Sequence, residues 1–373
     1  MLFAASVIMA RMSLSIGIVG LPNVGKSTLF NALTNNDILA ANYPFATIEP
    51  NTGIVPVPDA RLDTLQKMYN AAKVIPATVT FVDIAGLVAG ASTGEGLGNK
   101  FLANIRQCDA IVHIVRAFEN SDILHVENNV NPARDIATIN TELLLADIQT
   151  LETHLPKLQK EAKADPKLRA QVESLRTLQA DLEHDILANQ SDAYHAHADD
   201  FKSLHLLTAK PVIYVFNINE EALGDTATKA RLQALVPNAA ALFICAKLED
   251  ELKGLDPADA QELLDTYDVR EPGLTQMIHA AYDILGLQSY LTAGPKEVRA
   301  WTIHQGDTAP QAAGVIHTDF EKGFIAAQVV DYNDLVAAGS EAAARAQGKI
   351  RTEGKTYVMQ PNDIVEFRFN VSK

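Results

Sequence analysis

Cysteine is scarce in this 373-residue chain and basic side chains are outnumbered. Cys108 and Cys245 each stand in an apolar stretch, with no CxxC spacing and no histidine partner. That leaves no cysteine-based motif and fits reduced, buried thiols in a cytosolic protein. Lys and Arg number 31 against 46 Asp and Glu, a formal net charge of −15. Global electrostatics therefore disfavour nucleic acid. No sequence-specific DNA partner is expected, and any RNA contact needs a local basic patch. No apolar run reaches about 18 residues, so no membrane span is expected. The apolar opening Met1–Ala10 lacks the basic residues of a secretory signal. The expected reading is a start assigned too far upstream, with Met12 as the natural start and 1–12 a non-native or disordered extension of a cytoplasmic protein.

What the chain does have is length for two or three domains with a large core, and one phosphate-binding loop. Gly20-Leu-Pro-Asn-Val-Gly-Lys26-Ser27-Thr28 fits G-x-x-x-x-G-K-[ST]. The apolar run Leu14–Val19 ahead of it suits a buried strand, and Leu29–Leu33 behind it continues at helical spacing. In that context the glycines let the backbone of Asn23, Val24, Gly25, Lys26, Ser27 and Thr28 turn inward around phosphates, at the electropositive end of a helix. Lys26 reaches the β- and γ-phosphates, and the Ser27 hydroxyl coordinates Mg²⁺. A nucleoside triphosphate is the expected ligand.

Further parts follow in the order a nucleotide switch requires. Thr47, in Asn42-Tyr-Pro-Phe-Ala-Thr47, lies twenty residues past Ser27, where a switch loop offers a hydroxyl to Mg²⁺. Phe81–Gly86 is a strand ending in D-x-x-G. Asp83 is placed for the Mg²⁺ shell, and the Gly86 N–H for the γ-phosphate. After that glycine, related switches carry a glutamine that orients the attacking water; here it is Leu87. Catalysis must come from backbone, a bound cation or another side chain. His113, inside the apolar strand Ala110–Val115, reads as structural. His125 follows a polar stretch and is the better candidate to position water, although a loop histidine of no consequence fits the residues equally well.

The second departure concerns the base. Guanine-specific switches carry N-K-x-D after a strand, whose aspartate accepts from guanine N1–H and N2. Here Tyr214-Val-Phe216 leads into Asn217-Ile218-Asn219-Glu220. The lysine stem is gone and the carboxylate sits one methylene further out. ATP is therefore expected over GTP, with weak GTP binding surviving and Ile218 meeting the base through its main chain. Phe118 has two open readings, a wall near the purine or a core residue.

Alternating strands and helices predict an α/β, doubly wound P-loop NTPase domain over 13–287. Within it, Leu144, Ile148, Leu151, Leu155 and Leu158 step by four and three, as do Leu168, Val172, Leu175, Leu178, Leu182 and Ile186. With Ala164-Asp165-Pro166 between them they predict an antiparallel coiled-coil hairpin inserted at about 137–206. From 288 to 373, strand candidates at 297–303, 323–330, 355–359 and 364–369 predict a small α+β domain.

Taken together, these residues resemble the YchF / Obg-like ATPase family, a branch of the Obg NTPases. The matches are Gly20–Thr28, NYPFATIEP at Asn42–Pro50, DIAGLVAGASTGEGLGNKF at Asp83–Phe101, VRAF at Val115–Phe118, N-x-x-E at Asn217–Glu220 and HTDFEKGF at His317–Phe324. The resemblance implies a C-terminal TGS domain of ubiquitin-like β-grasp fold and ATPase activity above GTPase activity. It also implies association with ribosomes (the large subunit or a 70S-type particle) through the TGS and coiled-coil regions. His125 corresponds to the family's loop histidine, and Asn217 with the Ile218 main chain to its base contacts. Asn23 matches an asparagine that binds K⁺ in cation-activated relatives. The activity expected is a slow Mg²⁺-dependent ATPase switch, hydrolysing ATP to ADP, in translation or stress regulation. The competing readings are a nucleotide-stabilised interaction scaffold and a guanine-specific ribosome-assembly GTPase.

Overall fold

The central apolar runs become strands with almost no exposed side chain, as a parallel sheet covered on both faces requires. In the computed structural model, residues 14–34, 51–84, 97–119 and 129–370 are described. They divide into two compact units, one of 14–34, 51–53, 80–84, 97–119 and 129–281, the other of 54–79 and 282–370.

In the first unit β1 (Ser15–Val19) lies between β4 (Thr78–Asp83) and β5 (Ala110–Arg116). Next come β6 (Val212–Asn217) and β7 (Ala240–Ile244), and every one of these neighbours pairs in parallel. The sheet order is β2-β4-β1-β5-β6-β7, with β2 at Thr52–Pro56. Helices α1 (Lys26–Thr34) and α3 (Leu97–Gln107) follow β1 and precede β5, whereas α2 (Ala60–Tyr69) belongs to the second unit. In an open α/β sheet, ligands collect at the carboxyl ends of the strands. Val19, Asp83, Arg116 and Asn217 stand at those ends.

Two helices follow, α4 (Pro132–Ala164) and α5 (Arg169–Glu183), joined through the 3₁₀ turn Pro166–Leu168. Leu144, Leu151 and Leu158 of α4 share a core with Val172, Leu175, Leu178 and Leu182 of α5, distinct from the core beneath the sheet. The helical spacing read from the sequence thus closes a seam, with one exception. Ile186 is 39% exposed, because α5 ends at Glu183 and Asp185 takes a positive φ of 61°. The return to the sheet is pinned by Asp147. This fully buried carboxylate accepts from Leu207 N (2.8 Å), Thr208 N (2.8 Å) and Thr208 Oγ1 (2.7 Å).

The second unit holds a sheet of order β11-β10-β12-β8-β9-β3. Its strands are β3 (Val74–Ile75), β8 (Leu287–Ala293), β9 (Val298–His304), β10 (Phe324–Asp331), β11 (Arg351–Glu353) and β12 (Asp363–Phe369). Most pairs are antiparallel; β12 with β8 and β3 with β9 are parallel. Several expectations change here. Lys355–Met359 is no strand: the Tyr357 carbonyl and Met359 N–H bond to Ala309 and Asp307, leaving one isolated bridge. Residues 54–79, read as part of the nucleotide-binding domain, join this unit instead, with β3 on the edge beside β9. A two-residue edge strand carries no periodicity of its own, so only its distant partner reveals it. Among the described residues no helix is long and apolar enough to cross a membrane.

His113 in β5 is 2% exposed and packs its ring against Tyr214 at 5.2 Å. Burial pulls its pKa down to about 3 from an ordinary 6.5. The unfolded chain binds the extra proton between those values, so stability rises with pH there and is lost as pH falls from 6.5 toward 3. Between pH 7 and pH 5 this one group costs about 2 kcal/mol. In His113→Phe that share of the acid loss should vanish, as read by denaturant titration at the two pH values.

Candidate functional site

The loop after β1 takes its shape from two glycines. A Cβ at Gly20 would lie 2.7 Å from the Ile114 carbonyl oxygen, so nothing larger fits against β5. Gly25 has φ +94°, and a Cβ there would stand 2.3 Å from Asn217 Nδ2. Between them Asn23 also takes a positive φ, 63°, while Leu21 and Val24 are buried and anchor the loop from below. The first helical bond, Leu29 N to Gly25 O at 3.0 Å, starts α1 directly at the loop.

Lys26 Nζ donates to Asp83 Oδ1, with both side chains largely buried. This ion pair brings together the cation expected at the phosphates and the carboxylate expected at the metal. Ser27 lines the same cavity. A hydroxyl and a carboxylate are the hard oxygen donors that Mg²⁺ takes alongside phosphate and water, so the residues fit that ion. Thr47, Gly86, Leu87 and His125 lie outside the described residues.

Above the loop opens a cavity of about 1150 Å³, large enough for a nucleotide. Its phosphate end is formed by Asn23, Gly25, Lys26, Ser27, Thr28 and Asp83. The other end is walled by Phe118, Asn217, Ile218, Glu220, Ala246 and Lys247. Phe118 lines this cavity. Its ring lies 4.4 Å below the Arg116 guanidinium, and its carbonyl accepts from Arg116 Nε at 3.2 Å. His113 does not line the cavity and sits in the core.

Asn217 is 4% exposed, and both ends of its amide are engaged. Nδ2 donates to the Val24 carbonyl at 2.9 Å and Oδ1 accepts from Ala246 N at 3.1 Å. The side chain expected at the base therefore braces the phosphate loop against the start of the helix Ala246–Glu251 (α6). Ile218 buries its side chain in the core with Tyr214, Phe216 and Leu223, and commits its N–H to the Ile244 carbonyl at 2.9 Å. Any contact from it to a ligand runs through its main-chain carbonyl. Glu220 is held by Lys247, Nζ to Oε1 at 3.0 Å, and this carboxylate raises the lysine pKa.

Sequence reasoning missed Lys247 and Arg116. The signal for Lys247 was present, a lysine three residues past a buried strand end. That for Arg116, an arginine closing an apolar strand, means little until the fold shows it buried.

Two protein families match: one described as "50S ribosome-binding GTPase" over residues 15–147, the other, YchF-GTPase_C, as "Protein of unknown function (DUF933)" over 287–370. A curated protein of Pasteurella multocida named "Ribosome-binding ATPase YchF" is 51% identical over 363 residues, covering 96% of this chain and all of the relative. Obg-like ATPase 1 of Gallus gallus is 44% identical over 370 residues, 96% of this chain and 93% of its own. The solved structure of the Schizosaccharomyces pombe YchF GTPase superposes with a TM-score of 0.84 at 39% identity, over 95% of this chain and 98% of that one. These names divide between ATPase and GTPase.

Asn217→Ala would strand a buried carbonyl at Val24 and a buried N–H at Ala246, each costing about 1–3 kcal/mol. Nucleotide affinity should fall by about tenfold or more through the loosened loop, measured by titration with a fluorescent ATP analogue. An unchanged dissociation constant would remove the brace from the argument.

Proposed function

This chain belongs to the YchF family of P-loop NTPases. From that premise we propose that it is a cytoplasmic, ribosome-associated, Mg²⁺-dependent ATPase whose nucleotide state acts as a switch in translation or stress regulation. The observation that carries the choice of ATP is the base end of the cavity. A guanine reader needs a free acidic acceptor for N1–H and N2, but Glu220 is tied to Lys247, and Ile218, with its side chain in the core, supplies no stem over the base. Adenine needs an acceptor for its N6 amine, and the Ile218 carbonyl is the group this site offers.

Lys26 neutralises the β- and γ-phosphates, and the loop N–H groups fix them for in-line attack. Mg²⁺ would be held by Ser27, Asp83 and Thr47, and supplies charge neutralisation on the phosphates when bound. Leu87 can neither donate nor accept. His125 is the residue proposed to orient the attacking water and the Gly86 N–H to meet the γ-phosphate. Asn23 is the proposed K⁺ ligand, tested by comparing turnover in K⁺ and Na⁺.

Ribosome association is said of the bacterial relatives by name, and charge supports extending it here. In a chain of net charge −15, Lys157, Lys160, Lys163, Lys167 and Arg169 are all exposed around the Pro166–Leu168 turn, with Glu161 and Asp165 as the acidic residues among them. The coiled-coil hairpin thus presents a basic tip of the kind RNA contact requires. The C-terminal unit is proposed to be a β-grasp TGS domain that adds a second ribosome contact.

Turnover with each nucleotide tests the enzyme. ATP should exceed GTP in kcat/KM by about tenfold or more, and His125→Ala should keep binding while losing hydrolysis; equal or better use of GTP sinks the base argument. Changing the five tip residues to Gln should weaken co-sedimentation with ribosomes by about tenfold or more and flatten its log–log salt dependence by roughly 3 to 5.

A further inference from the structure

Among the described residues, Lys247 is one of two lysines that line the nucleotide cavity, and the other, Lys26, lies at its phosphate end. Around Lys247 the wall is acidic: Glu119, Glu220, Glu221, Asp250 and Glu251. Of these it pairs with Glu220 at 3.0 Å and stands 3.6 Å from Glu251 one helical turn on. Glu220 is only 17% exposed, whereas Lys247 is 71% exposed. The carboxylate is thus fixed at the wall, and the ammonium reaches in from the solvent side to cover it.

We propose that Lys247 is a specificity-determining residue that excludes guanine by masking the Glu220 carboxylate. The inference rests on the ATP preference proposed above and deepens it. Guanine presents N1–H and the N2 amine, two adjacent donors that a carboxylate accepts together. To use Glu220 it must break the ion pair with Lys247 and leave the ammonium with only the more distant Glu251. Adenine has no donor at N1 or C2 and asks nothing of Glu220, so the pair stays closed. Discrimination comes from the interaction denied to the wrong base rather than from one offered to the right base. The length of the glutamate matters less than its occupancy.

The test is a pair of dissociation constants, for ATP and for GTP, measured by calorimetry on the full chain, on Lys247→Met and on Lys247→Met combined with Glu220→Gln. Methionine keeps the aliphatic stem and removes the charge. In Lys247→Met the GTP-to-ATP ratio of dissociation constants should shrink about fivefold or more, through tighter GTP binding to the freed carboxylate. Adding Glu220→Gln should restore it. An unchanged ratio overturns the proposal. So does the same shrinkage with Glu220→Gln present, since Lys247 would then act without the glutamate. Weaker GTP binding in Lys247→Met also overturns it, because the lysine would be a guanine contact. A parent ratio near one sinks the ATP preference itself, while the shift caused by Lys247→Met stays readable and judges the mask separately.

Discussion

The amide of Asn217 is the interaction on which the rest of the site depends. It stands at the carboxyl end of β6 and reaches two other segments at once, the phosphate loop through the Val24 carbonyl and the start of α6 through the Ala246 N–H. Each of those backbone groups is buried and would cost heavily if left unpaired. The bridge also dictates a residue elsewhere, because a side chain at Gly25 would collide with the amide nitrogen. A glycine required by its own φ and an asparagine required by its two bonds thus specify each other. Through them the sheet, rather than the loop alone, holds the phosphate-binding backbone in place.

The cavity is organised by two lysine–carboxylate pairs. Lys26 and Asp83 join beside the phosphate loop; Lys247 and Glu220 join at the proposed base end. They differ in burial and therefore in use. The first is largely screened from water, so its charges are damped less by solvent than those of an exposed pair. The second has one exposed partner and can be exchanged at modest cost. A deep pair suits chemistry, and a shallow pair suits selection.

How much of this was legible in the sequence follows from whether the information is local. The phosphate loop, Asp83 and the central strands are contiguous patterns, and each takes the position its pattern implied. The helical seam was legible for the same reason, up to Ile186, where a backbone turn with no apolar signature ended the helix. Asn217 was legible as the polar end of an apolar strand but not as a brace, because its partners lie 193 and 29 residues away. The edge strand β3 and the pairing of Tyr357 and Met359 with 307–309 were illegible on the same ground. Charge masking at Glu220 needed the α6 lysine brought across from the end of another strand.

Arg116 links the cavity wall to the root of α4. It closes β5 with its side chain 1% exposed, and its guanidinium lies against the Phe118 ring and bonds the Phe118 carbonyl. The carboxylate that acts on it electrostatically is Asp135, in the first turn of α4 and likewise 1% exposed. Ile136 beside it packs into the same core as Ile218 at the base end of the cavity. A buried cation is costly unless its partners stay in reach, so Phe118 and the first turn of α4 are held to one arrangement around it. Further along, Leu144, Leu151 and Leu158 of α4 pack with α5 in a cluster of their own. The helix pair is thus tied to the sheet at its root by Arg116, Asp135 and Ile136, and on its return by the Asp147 clamp on Leu207 and Thr208.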